Sequence, residues 1–311
     1  MTTLATTFEH DLRERLLDVV YGQWHALGVP FSQTLRAEAT DVIDPEALLW
    51  CSLEFLPTEP RLREGVAAWL AVRGNYIIRQ KVKRLVARED ARADIWCALE
   101  GVPELRRGVV TPEPCHGVAS SSEVSDFCKK LGSGLGAHAS DHTPPGNPVQ
   151  GPSTVLVRAR DLLGADLRHA LLVYLLGSPD GGKLKTLERW SRYSYRSISE
   201  TAARWETAGV LTIDRGYCRL TNARPWEQLL RCRAGEATIV DWVAVFEACI
   251  RLLRALAKAD RRGLGTSTPI LSSFLREAQD ALSSAVLGGE RGRSSSASSL
   301  QELVGGYGPS A

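Results

Sequence analysis

The chain has 311 residues, of which 44% are hydrophobic and 24% charged, and its formal net charge is +2. This length and composition can support two domains of ordinary size, each with its own core. No stretch approaches the roughly 18 apolar residues of a membrane span, the N-terminus MTTLATTFEHDLRER lacks the features of a signal peptide, and the seven cysteines form no disulfide framework. We therefore expect a soluble cytoplasmic protein that contacts no membrane and keeps its thiols reduced.

The first 110 residues are predicted to form an all-α domain. Apolar residues recur at helical spacing in four segments, and Pro45 after Asp44 marks one of the starts. The fourth segment is rich in Lys and Arg, which we interpret as a solvated helix face, with a second nucleic-acid contact as the alternative. The four predicted helices span residues 8–26, 44–55, 61–72 and 76–87.

Residues 111–154 are dense in Gly, Ser and Pro and are predicted to be a flexible linker. His138 and His142 have the spacing of zinc ligands, but Cys115 and Cys128 are too far apart for a zinc knuckle. We interpret this cluster, which also contains His116, as incidental and predict no metal and no cofactor. A zinc site is the alternative.

Three short helices are predicted after this linker. The first, residues 166–176, has one apolar face and ends at the turn cluster GSPDGG, and the second spans residues 184–190. Ser194 is a suitable N-cap for the third, residues 195–207, and Gly209 is a suitable left-handed cap after its end. The buried stripe of the third helix is predicted to consist of Ile198, Ala202 and Trp205.

A tight hairpin is predicted next. Residues 210–213 and 217–220 alternate like two strands around Asp214-Arg215-Gly216, which places Arg215 at the tip and Arg219 on the returning strand. From residue 158 to residue 233 there are 14 Lys and Arg residues against 8 Asp and Glu residues, a net charge of +6 in a chain whose total is +2. Such a local excess is typical of a nucleic-acid-binding surface.

This order of three helices and a two-stranded wing indicates a winged helix-turn-helix at residues 155–233. The segments GADLRHALLVYLL, SYRSISETAARWETAGVL and TIDRGYCRLT resemble the winged-helix regulators of the MarR and ArsR type, in which a similar helix end precedes the wing. The resemblance covers residues 158–230 and implies a DNA-binding domain. Glu200 departs from the pattern because it lies close to the DNA-facing side.

The exposed half of the third helix and the wing supply the predicted DNA contacts. Arginine donates two parallel hydrogen bonds to guanine, and serine reaches groove atoms or phosphate. The predicted DNA-binding residues are Ser194, Tyr195, Arg196, Ser199, Arg204, Arg215 and Arg219.

Residues 236–287 are predicted to form C-terminal helices, including 239–259 and 272–286. Their apolar faces suit a homodimer interface, and packing on the N-terminal domain is the alternative. Residues 288–311 are predicted to be a disordered tail in which Leu300 and Leu303 form a short docking turn.

The predicted fold class is mainly α, with a helical N-terminal domain, a linker, a winged helix with a small β-wing and C-terminal helices. We find no P-loop, HExxH, GxSxG or paired-carboxylate motif, so we predict no enzyme. The expected function is a DNA-binding transcriptional regulator, a repressor or an autoregulator, that binds double-stranded DNA. The alternative is a non-enzymatic interaction module or antitoxin, because DPEALLW and PRLREGVAAWL resemble bacterial proteins encoded near nucleotidyltransferase-type toxins, and this resemblance implies a toxin as partner.

Overall fold

The computed structural model describes residues 4–31, 40–86, 146–148, 150–261, 269–288 and 296–306. These residues are mainly helical with two small antiparallel sheets, so the predicted class is confirmed at that level. They divide into two compact units. The N-terminal unit contains residues 20–31, 45–86 and 146–148, and the C-terminal unit contains residues 4–19, 40–44 and the described residues from 150 onward. Within the described ranges, no helix is long and apolar enough to cross a membrane.

Four helices begin the chain, close to their predicted bounds. The second helix ends at Ser52 instead of residue 55, and the fourth begins at Arg79 because Gly74–Tyr76 forms a separate 3-10 turn. The first helix is shared between the two units. The helices are α1 (Leu4–Ala26), α2 (Pro45–Ser52), α3 (Pro60–Arg73) and α4 (Arg79–Val86).

Two tryptophans anchor the core of the N-terminal unit. The rings of Trp24 and Trp69 meet edge to face with 5.2 Å between their centroids. The Trp24 indole N–H donates to Ser52 Oγ at 2.9 Å, and that of Trp69 donates to the Leu27 carbonyl at 3.1 Å. Both buried indole donors are therefore satisfied.

The predicted basic run at residues 79–88 is described only as far as Val86. Lys81 forms an ion pair with the fully buried Glu46 at 3.5 Å, and Glu46 also accepts the Ile78 N–H at 2.9 Å. Lys81 is therefore bound within the unit, which supports the structural interpretation for this residue.

The C-terminal unit holds the rest of the described elements. The predicted helices at 166–176, 184–190 and 195–207 are all present, each within one residue of its predicted bounds. In chain order the helices are α5 (Val155–Leu163), α6 (Leu167–Leu176), α7 (Leu184–Ser191), α8 (Tyr195–Thr207), α9 (Arg224–Leu230), α10 (Trp242–Arg261), α11 (Pro269–Ser283) and α12 (Ser296–Gly306). The strands are β1 (Gly182–Lys183), β2 (Leu211–Asp214), β3 (Tyr217–Leu220), β4 (Ile239–Val240) and β5 (Val286–Gly288).

Residues 40–44 belong to the C-terminal unit, which differs from the predicted domain 1–110. Asp41 forms a parallel bridge with Thr238, and the Val42 N–H donates to the Thr238 carbonyl at 2.9 Å. The Trp242 indole N–H donates to the Val42 carbonyl at 2.9 Å. These contacts join residues 196 (42 to 238) to 200 (42 to 242) positions apart in the chain, which helical periodicity does not reveal.

The predicted helix 239–259 is wrong at its start. Ile239 and Val240 form strand β4, paired with β5, and the helix α10 begins only after Asp241, whose carboxylate accepts the Ala244 N–H at 3.3 Å. The apolar stripe of α10 is buried within the single chain. The stripe that suggested a homodimer is therefore already covered, and we do not propose a dimer through it.

The predicted disordered tail contains the helix α12. Its apolar stripe places Ala297, Leu300 and Val304 at 2% exposure or less. The Gln301 side-chain amide donates to Ser283 Oγ of α11 at 3.2 Å. This packing explains why residues 296–306 are helical.

Cys51, Cys218, Cys232 and Cys249 are buried and carry free thiols, as expected of small core residues in apolar patterns. Burial raises the pKa of Cys218 and Cys232 to about 11 and that of Cys249 to about 12. Cys97, most of the predicted linker and its Cys/His cluster lie outside the described residues. In the described part of the chain no group of side chains is placed to hold a metal ion.

We expect Gly182→Ala to lower the free energy of unfolding by about 1–2 kcal/mol. A Cβ at position 182 would lie 2.7 Å from the Tyr174 hydroxyl and closer still to its ring, and this hydroxyl donates to the Lys183 carbonyl at 3.2 Å. Gly151→Ala is the matched control because a Cβ there meets nothing within 4 Å. Urea unfolding followed by circular dichroism measures both, and equal midpoints would contradict the prediction.

Candidate nucleic-acid interface

The helices α6, α7 and α8 share one hydrophobic core with the three-stranded sheet. From α8 this core contains Ile198 and Ala202, and from the sheet it contains Leu211 and Cys218. The third residue of the predicted stripe, Trp205, is half-buried and packs against the core. The opposite face of α8 is therefore held toward solvent.

Both ends of α8 are fixed by the capping residues that the sequence predicted. Ser194 Oγ accepts the Ser197 N–H at 3.3 Å, and Gly209 follows the helix with φ +72°. Ser194 Oγ also lies 2.9 Å from Ser197 Oγ. The predicted binding residue Ser194 is thus exposed, but its hydroxyl already serves the helix cap.

The other predicted residues of α8 lie on or beside its exposed face. Tyr195, Arg196 and Arg204 are exposed, and Ser199 is half-buried. The Arg196 side chain keeps 89% of its surface in solvent. Arg204 lies about two turns later, about 12 Å along the helix axis, so one short patch does not contain both arginines.

The predicted hairpin is present and belongs to a three-stranded antiparallel sheet in the order β1-β3-β2. Arg215 and Gly216 form its tip with φ values of +48° and +82°, the left-handed pair of a type I′ turn. Arg219 lies opposite Thr212, and both point to the exposed face of the sheet. The hairpin therefore carries one arginine at its tip and one along its outer face.

Side-chain contacts fix the position of the hairpin relative to α8. Glu206 near the end of α8 accepts the Ile213 N–H of β2 at 3.0 Å. Trp205 stacks on Trp226 of α9, with 6.4 Å between ring centroids and 3° between planes. The contact with Glu206 therefore holds the hairpin beside the end of α8, and we call the exposed residues of α8, of the hairpin and of the adjoining β1–α7 segment the candidate surface.

Two lysines, which the sequence analysis did not select, connect the two halves of this surface. Lys183 Nζ lies 5.3 Å from the centroid of the Tyr217 ring in β3, and Lys185 Nζ lies 5.8 Å from that of the Tyr195 ring in α8. Leu184 between them is buried. The sequence signal was the alternation Lys-Leu-Lys directly after a glycine turn, but the aromatic partners come from distant parts of the chain.

Carboxylates also lie on this surface. Arg196 Nε donates to Glu200 Oε1 at 2.9 Å, and Lys185 Nζ pairs with Glu188 at 2.6 Å. The hydrogen bond from Lys185 lowers the pKa of Glu188, and the same contact raises the pKa of Lys185. Two of the exposed cations are thus paired with acids of their own helices.

Comparisons with known proteins do not assign this surface. No family model, curated protein or solved structure matches the chain. Any function of the surface therefore rests on its own geometry and charge.

Proposed function

We propose that residues 155–233 form a winged helix-turn-helix of the MarR/ArsR type that binds double-stranded DNA, and that the protein is a transcriptional regulator without enzymatic activity. In this proposal α8 enters the major groove and the hairpin acts as the wing against the phosphate backbone or the minor groove. The observation that carries the proposal is the exposed surface of α8, of the hairpin and of the β1–α7 segment, whose cations all lie within one compact unit. Its cations are Lys183, Lys185, Arg196, Arg204, Arg215 and Arg219.

Five of the six cations divide into two groups by position, and Arg204 lies about two turns beyond Arg196 at the margin of α8. Arg196 lies in the first turn of α8, the part of a recognition helix that meets base edges. Lys183, Lys185, Arg215 and Arg219 lie on the sheet and at the start of α7, where contacts to phosphate are expected. Ser199 and Tyr195 complete the groove-facing set. The first group would supply specificity and the second most of the salt-dependent affinity.

Arg215 at the wing tip has an unfavourable backbone conformation. A non-glycine residue with φ +48° is strained, and the first position of a type I′ turn favours Asn or Gly. The chain therefore places a cation at the tip in spite of a local cost in stability. Arg192 and Arg231, which lie outside the candidate surface, also have left-handed φ values of +62° and +45°, so the role of Arg215 is argued from its charge and its place at the tip.

We expect Arg215→Asn to raise the free energy of unfolding by about 0.5–1 kcal/mol, because asparagine tolerates the left-handed conformation better than arginine. The same substitution should weaken binding about equally on all duplexes, because a phosphate contact carries no sequence information. Urea unfolding and fluorescence anisotropy measure the two effects. A loss of affinity on one sequence only would contradict the phosphate assignment.

A protein partner is the second candidate function. The pairs Arg196–Glu200 and Lys185–Glu188 give the surface mixed charge, which a protein partner such as a toxin tolerates better than a phosphate backbone does. Binding to such a partner should depend weakly on salt, whereas DNA binding should depend on it strongly.

Charge removal on the surface tests the proposal. A variant with Lys183, Lys185, Arg215 and Arg219 all replaced by alanine should lose binding to a duplex from the region upstream of its own gene. The control is Arg251→Ala, because Arg251 is exposed on α10 and paired with Glu247. The proposed surface would be refuted if the fourfold variant and the Arg251→Ala control both bound the duplex with the affinity of the wild-type protein.

A further inference from the structure

Glu200 lies within the exposed face of α8. If this face binds DNA, the phosphates repel its carboxylate. Glu200 follows Arg196 by one helical turn, and its Oε1 accepts the Arg196 Nε–H at 2.9 Å. The Glu200 side chain keeps 53% of its surface in solvent, and the Arg196 side chain keeps 89%. The pair is thus a surface feature and takes no part in the buried core.

Helix stability does not account for this pair. An acid that follows its cation by four residues is the weaker of the two orders on a helix. Pairs as exposed as this one contribute little to the stability of a fold. The position of Glu200 therefore calls for an explanation in terms of what Arg196 does.

The atoms used in the pair leave the end of the arginine available. Arginine has five N–H donors in a planar fork, and Glu200 engages the one on Nε. A bidentate contact with guanine needs two parallel donors for O6 and N7, and the terminal amino groups can supply them. The contact with Glu200 and the contact with guanine are therefore geometrically compatible.

We propose that Glu200 is a positioning residue that orients Arg196 toward guanine and so gives the site a preference for a G·C base pair at one position. This inference rests on the proposed DNA-binding function. Restraint of the long arginine side chain before binding reduces the conformational entropy lost in the complex. Glu200 also disfavours a contact between Arg196 and a neighbouring phosphate, because that contact would bring the Glu200 carboxylate close to the negative phosphate. Both effects raise specific binding relative to non-specific binding.

The test is a double-mutant cycle with the substitutions Arg196→Ala and Glu200→Ala. Anisotropy titrations would use the preferred duplex, a duplex in which the G·C pair recognised by Arg196 is replaced by A·T, and a scrambled duplex. Alone, Glu200→Ala should reduce the preference for G·C about two- to threefold, the size expected for an exposed ion pair, and tighten binding to the scrambled duplex. In the Arg196→Ala background it should leave the base preference unchanged, because positioning acts through Arg196.

Two comparisons separate a positioning role from simple repulsion. Glu188→Gln removes a carboxylate that pairs with Lys185 instead of Arg196, so it should change binding to all duplexes alike. Equal effects of Glu200→Ala on the preferred and scrambled duplexes would overturn the positioning role while the DNA-binding proposal stands. A wild-type protein that binds no duplex would instead overturn the proposed function, and this inference with it.

Discussion

Asp241→Ala is expected to lower the free energy of unfolding by about 3 kcal/mol. The Asp241 side chain is only 2% exposed, and Arg192 donates to its two oxygens at 2.8 Å and 3.0 Å. Arg189 Nε lies 3.4 Å from Oδ2, and Oδ1 also caps the first turn of α10. Loss of the carboxylate removes the charge partner of two guanidinium groups and the cap of one helix, while Arg189 keeps its hydrogen bond to the Ser284 carbonyl. The two arginines are partly exposed to solvent. We therefore expect a loss of stability at the lower end of the range that is typical when one partner of a buried ion pair is removed.

Urea unfolding followed by circular dichroism measures this loss. Asp241→Asn should show an intermediate loss because it can keep the cap while the charge pairing disappears. The matched control is Asp166→Ala, which removes a partly exposed N-cap of α6 and should cost about 1 kcal/mol. If Asp241→Ala costs no more than this control, the pairing of Asp241 with Arg189 and Arg192 does not stabilise the fold.

Arg196→Ala should lower the affinity for the preferred duplex by about 1–3 kcal/mol, which is roughly a 5-fold to 150-fold rise in the dissociation constant. The expected reason is the loss of the two parallel hydrogen bonds that Arg196 is proposed to donate to one guanine. Affinity for a scrambled duplex should change far less. Equilibrium anisotropy at a fixed salt concentration measures both constants.

Arg204→Ala provides the comparison on the same helix. Arg204 lies at the margin of the exposed face, beyond the end proposed to meet base edges, so its loss should weaken the two duplexes about equally. Identical effects of Arg196→Ala on the preferred and scrambled duplexes would remove Arg196 from the base-reading residues.

Local signals predicted the elements of the candidate surface well. Ser194 and Gly209 bracket α8, and the apolar spacing of Ile198 and Ala202 fixes its buried face, so its bounds follow from neighbouring residues. The hairpin could be predicted in the same way, because Arg215-Gly216 forms a tight turn between two alternating segments.

Pairings between distant segments could not be predicted from those signals. The strand β1 has only two residues and exists because Lys183 pairs with Tyr217 and Gly182 with Cys218. Ile239 and Val240 continue the apolar pattern of α10 but pair with β5 as a strand. In each case the partner lies more than 30 residues away, and a short segment carries too little periodicity to indicate its conformation.

In the candidate site, too, local sequence signals indicated some residues, while others depend on distant segments of the chain. Arginines on α8 and the hairpin could be selected from charge and position. The lysines at 183 and 185 could not, because their role depends on Tyr217 and Tyr195 lying beside them. The contact between Arg196 and Glu200 was readable from their spacing of four residues on one helix, although that spacing alone does not say what the acid does.

The most direct test of DNA binding is a salt titration of the wild-type protein with the upstream duplex and a scrambled duplex. If Lys183, Lys185, Arg215 and Arg219 each neutralise one phosphate, a plot of the logarithm of the association constant against the logarithm of the salt concentration should have a slope of about −3.6. The upstream duplex should bind more tightly than the scrambled one at every salt concentration. Absence of binding to either duplex at low salt would contradict the DNA-binding proposal and favour a protein partner for this surface.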